Sequence, residues 1–183
     1  MPATLRTEAI PTEFSFQAFI PSEGPGPIIK FPAFINSISD NHSPSWSSNM
    51  DIGRADPKMK YDSYQRTISV NFITAALYNG EHTFYLEALN NVVRQTRPIY
   101  KPGRGFNGIF TKMKIGKLLD EYGILTSFTI DINNDTPWID KLPIYINCSA
   151  TLQVVGAKKP DYKNKGDYYT GKYQSDGKMT PGK

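Results

Sequence analysis

The sequence predicts a mainly β domain, an antiparallel β-barrel or sandwich of about seven strands with one flanking α-helix and an extended C-terminal arm. Three observations predict it. Apolar and polar residues alternate at a period of two in run after run. Fourteen prolines and fourteen glycines in 183 residues punctuate those runs and argue against a helical bundle. A single stretch, residues 81–95, carries a helical period instead. An aromatic content of 13% suits a β-rich core. Residues 1–155 are read as the domain and 156–183 as the arm.

The first run places Phe14, Phe16, Ala18 and Ile20 on one face against Glu13, Ser15 and Gln17. Ile29, Phe31, Ala33 and Ile35 form a second, in which Pro32 indicates an edge strand or a bulge. Trp46, Ser48, Met50 and Ile52 share a face of a third, and Trp46 is read there as a core residue. A polar excursion around Gly53, Arg54, Ala55, Asp56 and Pro57 leads to the cleanest strand. In it Ile68, Val70 and Phe72 oppose Thr67, Ser69 and Asn71. Asn79-Gly80 breaks the chain before the helix, which groups Tyr85, Ala88, Leu89 and Val92 on one side. Thr83, Glu87, Asn90, Asn91 and Arg94 fall on the other, and Pro98 ends the helix.

A glycine-rich turn from Lys101 to Gly108 follows, then a short strand from Ile109 to Ile115 and a turn spanning Gly116 to Gly123. Ile124, Thr126, Phe128, Ile130 and Ile132 are expected to form the next inward row. The last strand runs from Ile144 to about Val155, with Ile146, Cys148, Ala150, Leu152 and Val154 as its apolar row.

The net charge of +4 sits wholly in the arm. Residues 156–183 hold seven lysines and three aspartates, which leaves fourteen basic and fourteen acidic residues in 1–155. A sequence-specific DNA-binding domain would concentrate its basic residues on a folded face, so none is expected. The arm cannot bury enough apolar surface to order alone. Tyr162, Tyr168, Tyr169 and Tyr173 suit it to lie on a partner. One cysteine excludes an internal disulfide, no secretory leader is read at the start, and no run is long and apolar enough to span a membrane. These features predict a soluble protein made in a reducing compartment.

Catalytic and metal-binding patterns are missing. His42 and His82 stand apart from any HExxH or CxxC spacing, and Cys148 on an apolar row reads as a core thiol. The Lys101–Gly108 segment lacks the GK[ST] ending of a phosphate loop. Asp131, Asp135 and Asp140 lack the glycine and glutamate of an EF-hand. No catalytic residue, metal or cofactor is expected. A carbohydrate-binding β-sandwich, resting on Trp138 and the aspartate-rich 131–140 loop, is the alternative function; a barrel hydrolase is a third.

An ordered set of features carries a resemblance. It runs Gly53-Arg54-Ala55-Asp56-Pro57, Tyr64, Arg66-Thr67-Ile68-Ser69-Val70-Asn71-Phe72, Asn90-Asn91-Val92, and Pro98-Ile99-Tyr100. Met113-Lys114-Ile115-Gly116-Lys117-Leu118, Gly123 to Phe128, Pro137-Trp138 and Leu142-Pro143 continue it to Val155. Over residues 40–157 the chain resembles the tail-tube-like baseplate proteins of contractile-tailed bacteriophages, which include tube initiators and inner-baseplate components. The resemblance implies a β domain whose long hairpin joins neighbours into a ring, most often a hexamer. Such a ring sits in the virion beside other baseplate and tail tube proteins, after assembly in the host cytoplasm. No LysM repeat is present, so peptidoglycan binding is not carried over. Gly53, Arg54, Asp56, Pro57, Tyr64 and Arg66 are the expected subunit-interface residues, with Arg54 and Asp56 bonding at the boundary.

Overall fold

In the computed structural model the described residues are 12–20, 23–50, 52–53, 56–75, 81–101, 105–132, 136–139 and 141–155. They form β1 (Thr12–Ile20), β2 (Gly24–Asn49), β3 (Lys58–Ala75), α1 (Glu81–Arg94), β4 (Ile99–Lys101), β5 (Gly105–Asn107) and β6 (Phe110–Ile115). β7 (Leu119–Asp131), β8 (Trp138–Ile139), β9 (Leu142–Pro143) and β10 (Tyr145–Val154) follow. The mainly β class and the single helix agree with the sequence reading.

The long strands hydrogen-bond in the order β1-β2-β3-β10-β7-β6, all antiparallel, and β6 pairs back onto β1. β4 pairs with β5 and β8 with β9 as separate small hairpins. The glycine-rich 101–108 segment is therefore a hairpin, and its central residues 102–104 lie outside the described ones.

The inward rows are those that alternation predicts on β1, β3 and β10. Phe14, Phe16, Ile68, Val70, Phe72, Ile146, Cys148, Ala150 and Leu152 are all buried. Phe14 meets Phe16 and Phe72 edge-on, each pair with centroids 4.7 Å apart, a geometry that adds to burial. Tyr85, Ala88, Leu89 and Val92 of α1 join the same core, so the helix covers the sheet as its periodicity requires. Past the helix, Thr111 Oγ1 donates to Gln95 Oε1 at 3.1 Å in a buried contact.

Three expectations are corrected. On β7, Leu125 rather than Ile124 is buried, and Ile124 and Ile132 are exposed. The cause is a bulge: Ser127 pairs with Thr151 and Leu125 with Leu152, so Thr126 is an extra residue and the rows swap faces. The turn after β6 is short, 116–118, and Leu119 to Gly123 is already strand. The runs read as separate strands at Ile29–Ile35 and Trp46–Ile52 are one strand, β2, which changes partner along its length. It pairs with β1 up to Ala33 and with β3 from Phe34, with a bulge at Asn36. Pro32 falls where β3 has not yet joined, which is the edge position that proline tolerates.

Gly123 shows how closely the strands approach. A Cβ there would stand 2.2 Å from the backbone oxygen of Gln153 on β10. Because the obstacle is backbone, the pairing of Gly123 with Val154 would have to open. Gly123→Ala is expected to lower stability by about 1–3 kcal/mol in urea unfolding; a neutral result would mean that the ladder has slack at this point.

Candidate functional site

The row that lines the core does not stop where the core stops. After the bulge at Asn36 the inner side of β2 carries Ile38, Asp40, His42, Pro44, Trp46 and Ser48, and that of β3 carries Phe72, Val70, Ile68, Arg66 and Tyr64. A second bulge, at Asp62, brings Tyr61 and Met59 onto the same side. β10 leaves β3 at Thr67, and β1 leaves β2 at Ala33. From Asn41 to Asn49, therefore, β2 has β3 alone as its ladder partner. This two-stranded ribbon extends about 30 Å at the usual rise per residue.

The ribbon has two unlike sides. One shows Trp46 54%, Met59 60% and Tyr61 47% exposed. The other carries Ser45, Ser47, Asn49, Lys58, Lys60 and Ser63. Trp46 and Tyr61 pack edge-on at 5.0 Å, and Ser47 Oγ donates to Asp62 Oδ1 at 3.1 Å. The reading of Trp46 as core is corrected: its phase on the strand is right, but among the described residues no element covers that side. The polar excursion ends before Lys58, because Lys58 to Tyr64 belongs to β3.

At the base of the ribbon the core is sealed by charge. Arg66 is 3% exposed and Asp40 5% by side chain. Arg66 Nε and Nη2 donate to Asp40 at 2.9 and 2.7 Å, and Nη1 donates to Glu121 Oε1 of β7 at 2.6 Å. Burial opposes the guanidinium charge, but the bonds to Asp40 and Glu121 outweigh it and its pKa is raised. His42 adds its Nε2 3.4 Å from Asp40 Oδ1, and its Nδ1 is hydrogen-bonded to the Tyr64 hydroxyl.

The expected interface residues therefore separate. Gly53 stands at the tip with φ of 88°, a left-handed conformation that favours glycine. Asp56 and Pro57 are exposed beside it, while Arg54 lies outside the described residues. Tyr64 is half-buried against His42, and Arg66 is bonded to Asp40 and Glu121 of its own chain. The sequence reading names no buried charge cluster. Its signal was present, since Arg66 falls in phase with Ile68, Val70 and Phe72. The arm tyrosines Tyr162, Tyr168, Tyr169 and Tyr173 lie outside the described residues, as do Asp135 and Asp140.

On the outward side of β2, β3, β10 and β7 the cross-strand rows are polar and almost uncharged. Ser39, Ser69, Thr151 and Ser127 form one row, and Ser37, Asn71, Ser149 and Thr129 the next. Asn71 Nδ2 donates to Ser37 Oγ at 2.9 Å, and the Ser69 and Thr151 hydroxyls lie 3.4 Å apart. Asn41, Thr67, Gln153 and Ile124 form a third row; Asp131 is the charged residue, at one end. The outward side of β1 and β6 differs: it carries the pairs Lys30–Glu13 at 2.8 Å and Lys112–Asp120 at 3.0 Å.

Cys148 sits across from Phe72 and Ile130, six residues along β3 from Arg66, so about 20 Å of strand separates it from the partner of His42. Burial, with a smaller contribution from the Asp131 charge, pushes its thiol up to about 12. Against the ordinary value of 9.0 this makes thiolate about a thousandfold scarcer at neutral pH. Maleimide labelling of the folded chain at pH 7 is expected to be at least about a hundredfold slower than in urea. Because the folded value lies above the unfolded one, the thiol's contribution to stability falls as pH rises from 9.0 toward 12.

Among the described residues no group of three or more His, Cys, Asp or Glu side chains is placed to hold a metal, and no helix is long and apolar enough to cross a membrane. No family model matches the chain, and no curated protein matches it.

Proposed function

We propose that this chain is a non-catalytic structural subunit of a contractile phage tail, forming a baseplate ring that starts or continues the tail tube. The observation that carries the proposal is the ribbon. A two-stranded hairpin is marginal alone, and this one holds an apolar row in water as a direct extension of the core face. A neighbouring copy that covers the row completes the core. Subunits joined through unlike surfaces close into rings when the rotation permits.

The outward rows of β2, β3, β10 and β7 supply the second support. A tube wall must let DNA pass without holding it. The three rows shared by these four strands hold hydroxyls and amides without lysine or arginine and offer phosphate no counter-charge, while Lys58 and Lys60 lie on the same side only farther out along the ribbon. In a ring of tube-like barrels this side faces the channel, and the side with Lys30, Glu13, Lys112 and Asp120 faces other baseplate proteins. The resemblance over 40–157 favours six copies in the virion.

The exposed Trp138 on β8 supports the alternative, a sugar-stacking platform. Native mass and glycan binding separate the two. A closed oligomer of about six subunits without glycan affinity is expected. A monomer that binds an oligosaccharide in a Trp138-dependent way would replace the ring reading.

A further inference from the structure

The backbone ladder is thin where the ribbon leaves the sheet. β10 stays with β3 only as far as Thr67, so from Arg66 outward β3 has β2 alone as a partner among the described residues. Pro44, opposite Tyr64, can donate no backbone hydrogen bond, and the bulge at Asp62 follows two residues farther out. One row of ladder bonds keeps two strands side by side but gives little resistance to bending out of their common plane. With the ladder alone, the ribbon would swing about this point.

A chain of side-chain bonds spans the same point on the inner side. It starts on the body at Glu121 of β7, which accepts from Arg66 Nη1 at 2.6 Å. Arg66 Nε and Nη2 in turn donate to Asp40 of β2 at 2.9 and 2.7 Å. Asp40 Oδ1 lies 3.4 Å from Nε2 of His42, and His42 Nδ1 is hydrogen-bonded to the hydroxyl of Tyr64 on β3. An ionised carboxylate only accepts, so Nε2 carries a hydrogen, and Nδ1 of the neutral ring then accepts from the Tyr64 hydroxyl. The far end of the chain, Tyr64, is two residues out along β3 from Arg66. Its inner end, Arg66 with Asp40, is buried, where charge-assisted hydrogen bonds are strong and few waters compete. Because the links all lie on one side, bending the ribbon toward its polar side would stretch them.

We infer that the chain Glu121–Arg66–Asp40–His42–Tyr64 is a brace that fixes the angle of the ribbon to the body, with His42 and Tyr64 as positioning residues, so that the ribbon stands as a strut before it meets any partner. A segment already held in place has less conformational freedom to lose on association. The inference goes beyond the ring reading and does not rest on it, since every link lies within one chain.

Hydrogen exchange resolved along the full chain tests the brace, with the amides of β1 and β10 as internal reference. Tyr64→Phe removes one hydroxyl and keeps the ring. The worth of one hydrogen bond corresponds to exchange about threefold to tenfold faster over residues 41–49 and 58–65, with the reference unchanged. His42→Ala removes both outer links and is expected to accelerate the ribbon at least about tenfold. His42→Gln keeps a donor for Asp40 and an acceptor for Tyr64, and should recover most of the protection. Equal acceleration of ribbon and reference amides would make the two residues part of the folding core and overturn the brace. A ribbon unchanged in both Tyr64→Phe and His42→Ala would be held from elsewhere, which overturns it as well. Native mass of the same samples separates the two readings. A monomer whose ribbon loosens in these variants alone would end the ring reading and support the brace. A closed ring whose ribbon ignores both variants would end the brace and leave the ring reading standing.

Discussion

Replacing Arg66 with alanine is expected to cost about 3–5 kcal/mol of folding stability, the range for removing one partner of a buried ion pair. Asp40 would stay at 5% side-chain exposure with its cation gone, and Glu121 would lose a 2.6 Å bond. Arg66→Lys should recover little, because an ammonium cannot reproduce the two-pronged contact with Asp40. The decisive comparison is the double variant Arg66→Leu with Asp40→Leu. Removing both charges also removes the uncompensated carboxylate, so the pair should cost less than Arg66→Ala alone. Chemical unfolding reads all three. A loss below about 1 kcal/mol for Arg66→Ala would place the cluster with solvent-screened surface pairs, and the seal between core and ribbon would have to be sought elsewhere.

The second large effect is on association. Trp46→Glu combined with Met59→Glu is expected to lower self-association by at least about a hundredfold, or roughly 2.7 kcal/mol. Both side chains are largely exposed in the single chain, so folding stability should change by no more than about 0.5 kcal/mol. In the assembled state each glutamate would meet an apolar wall without a partner, and burying an unpaired charge is costly. Sedimentation over a concentration series reads the association, and urea unfolding of the same samples reads the fold. Equal losses in both would make the ribbon a folding element. An unchanged mass would show that neighbours meet through another surface, and the ring reading would lose its main support.

The two variants probe opposite ends of one row, and the contrast shows what a period of two encodes. Alternation states which side of a strand a residue occupies, and on β1, β3 and β10 that side is the core. The same rule assigns Trp46 correctly to the core side of the sheet, whereas Tyr61 and Met59 reach that side only through the bulge at Asp62. It cannot say whether anything lies over that side, because cover comes from elements distant in sequence. Arg66 was legible in the same way: its phase with Ile68 and Val70 marks an inward charge, but its partners Asp40 and Glu121 lie 26 and 55 residues away.

Bulges set the other limit. An extra residue at Thr126 moves Leu125 inward and Ile124 outward, and nothing local distinguishes that segment from an unbroken strand. The decision belongs to the pairing with β10, where a two-against-one register keeps both Leu125 and Phe128 turned toward the core. The merging of two apparent strands into β2 has the same origin. Residues 37–45 hold few apolar side chains, yet they remain strand because β3 supplies a backbone partner at almost every position.

By itself, then, the sequence determined the mainly β class, the single amphipathic helix, the inward rows of β1, β3 and β10 and the buried thiol. Each depends on short-range periodicity and on the free energy of hiding an apolar side. Tertiary structure alone decided where the rows change faces, which charges close the core, and that the core side of β2 and β3 runs on into a ribbon that no other described element covers. Those outcomes depend on backbone pairing between distant segments, which side-chain alternation does not record.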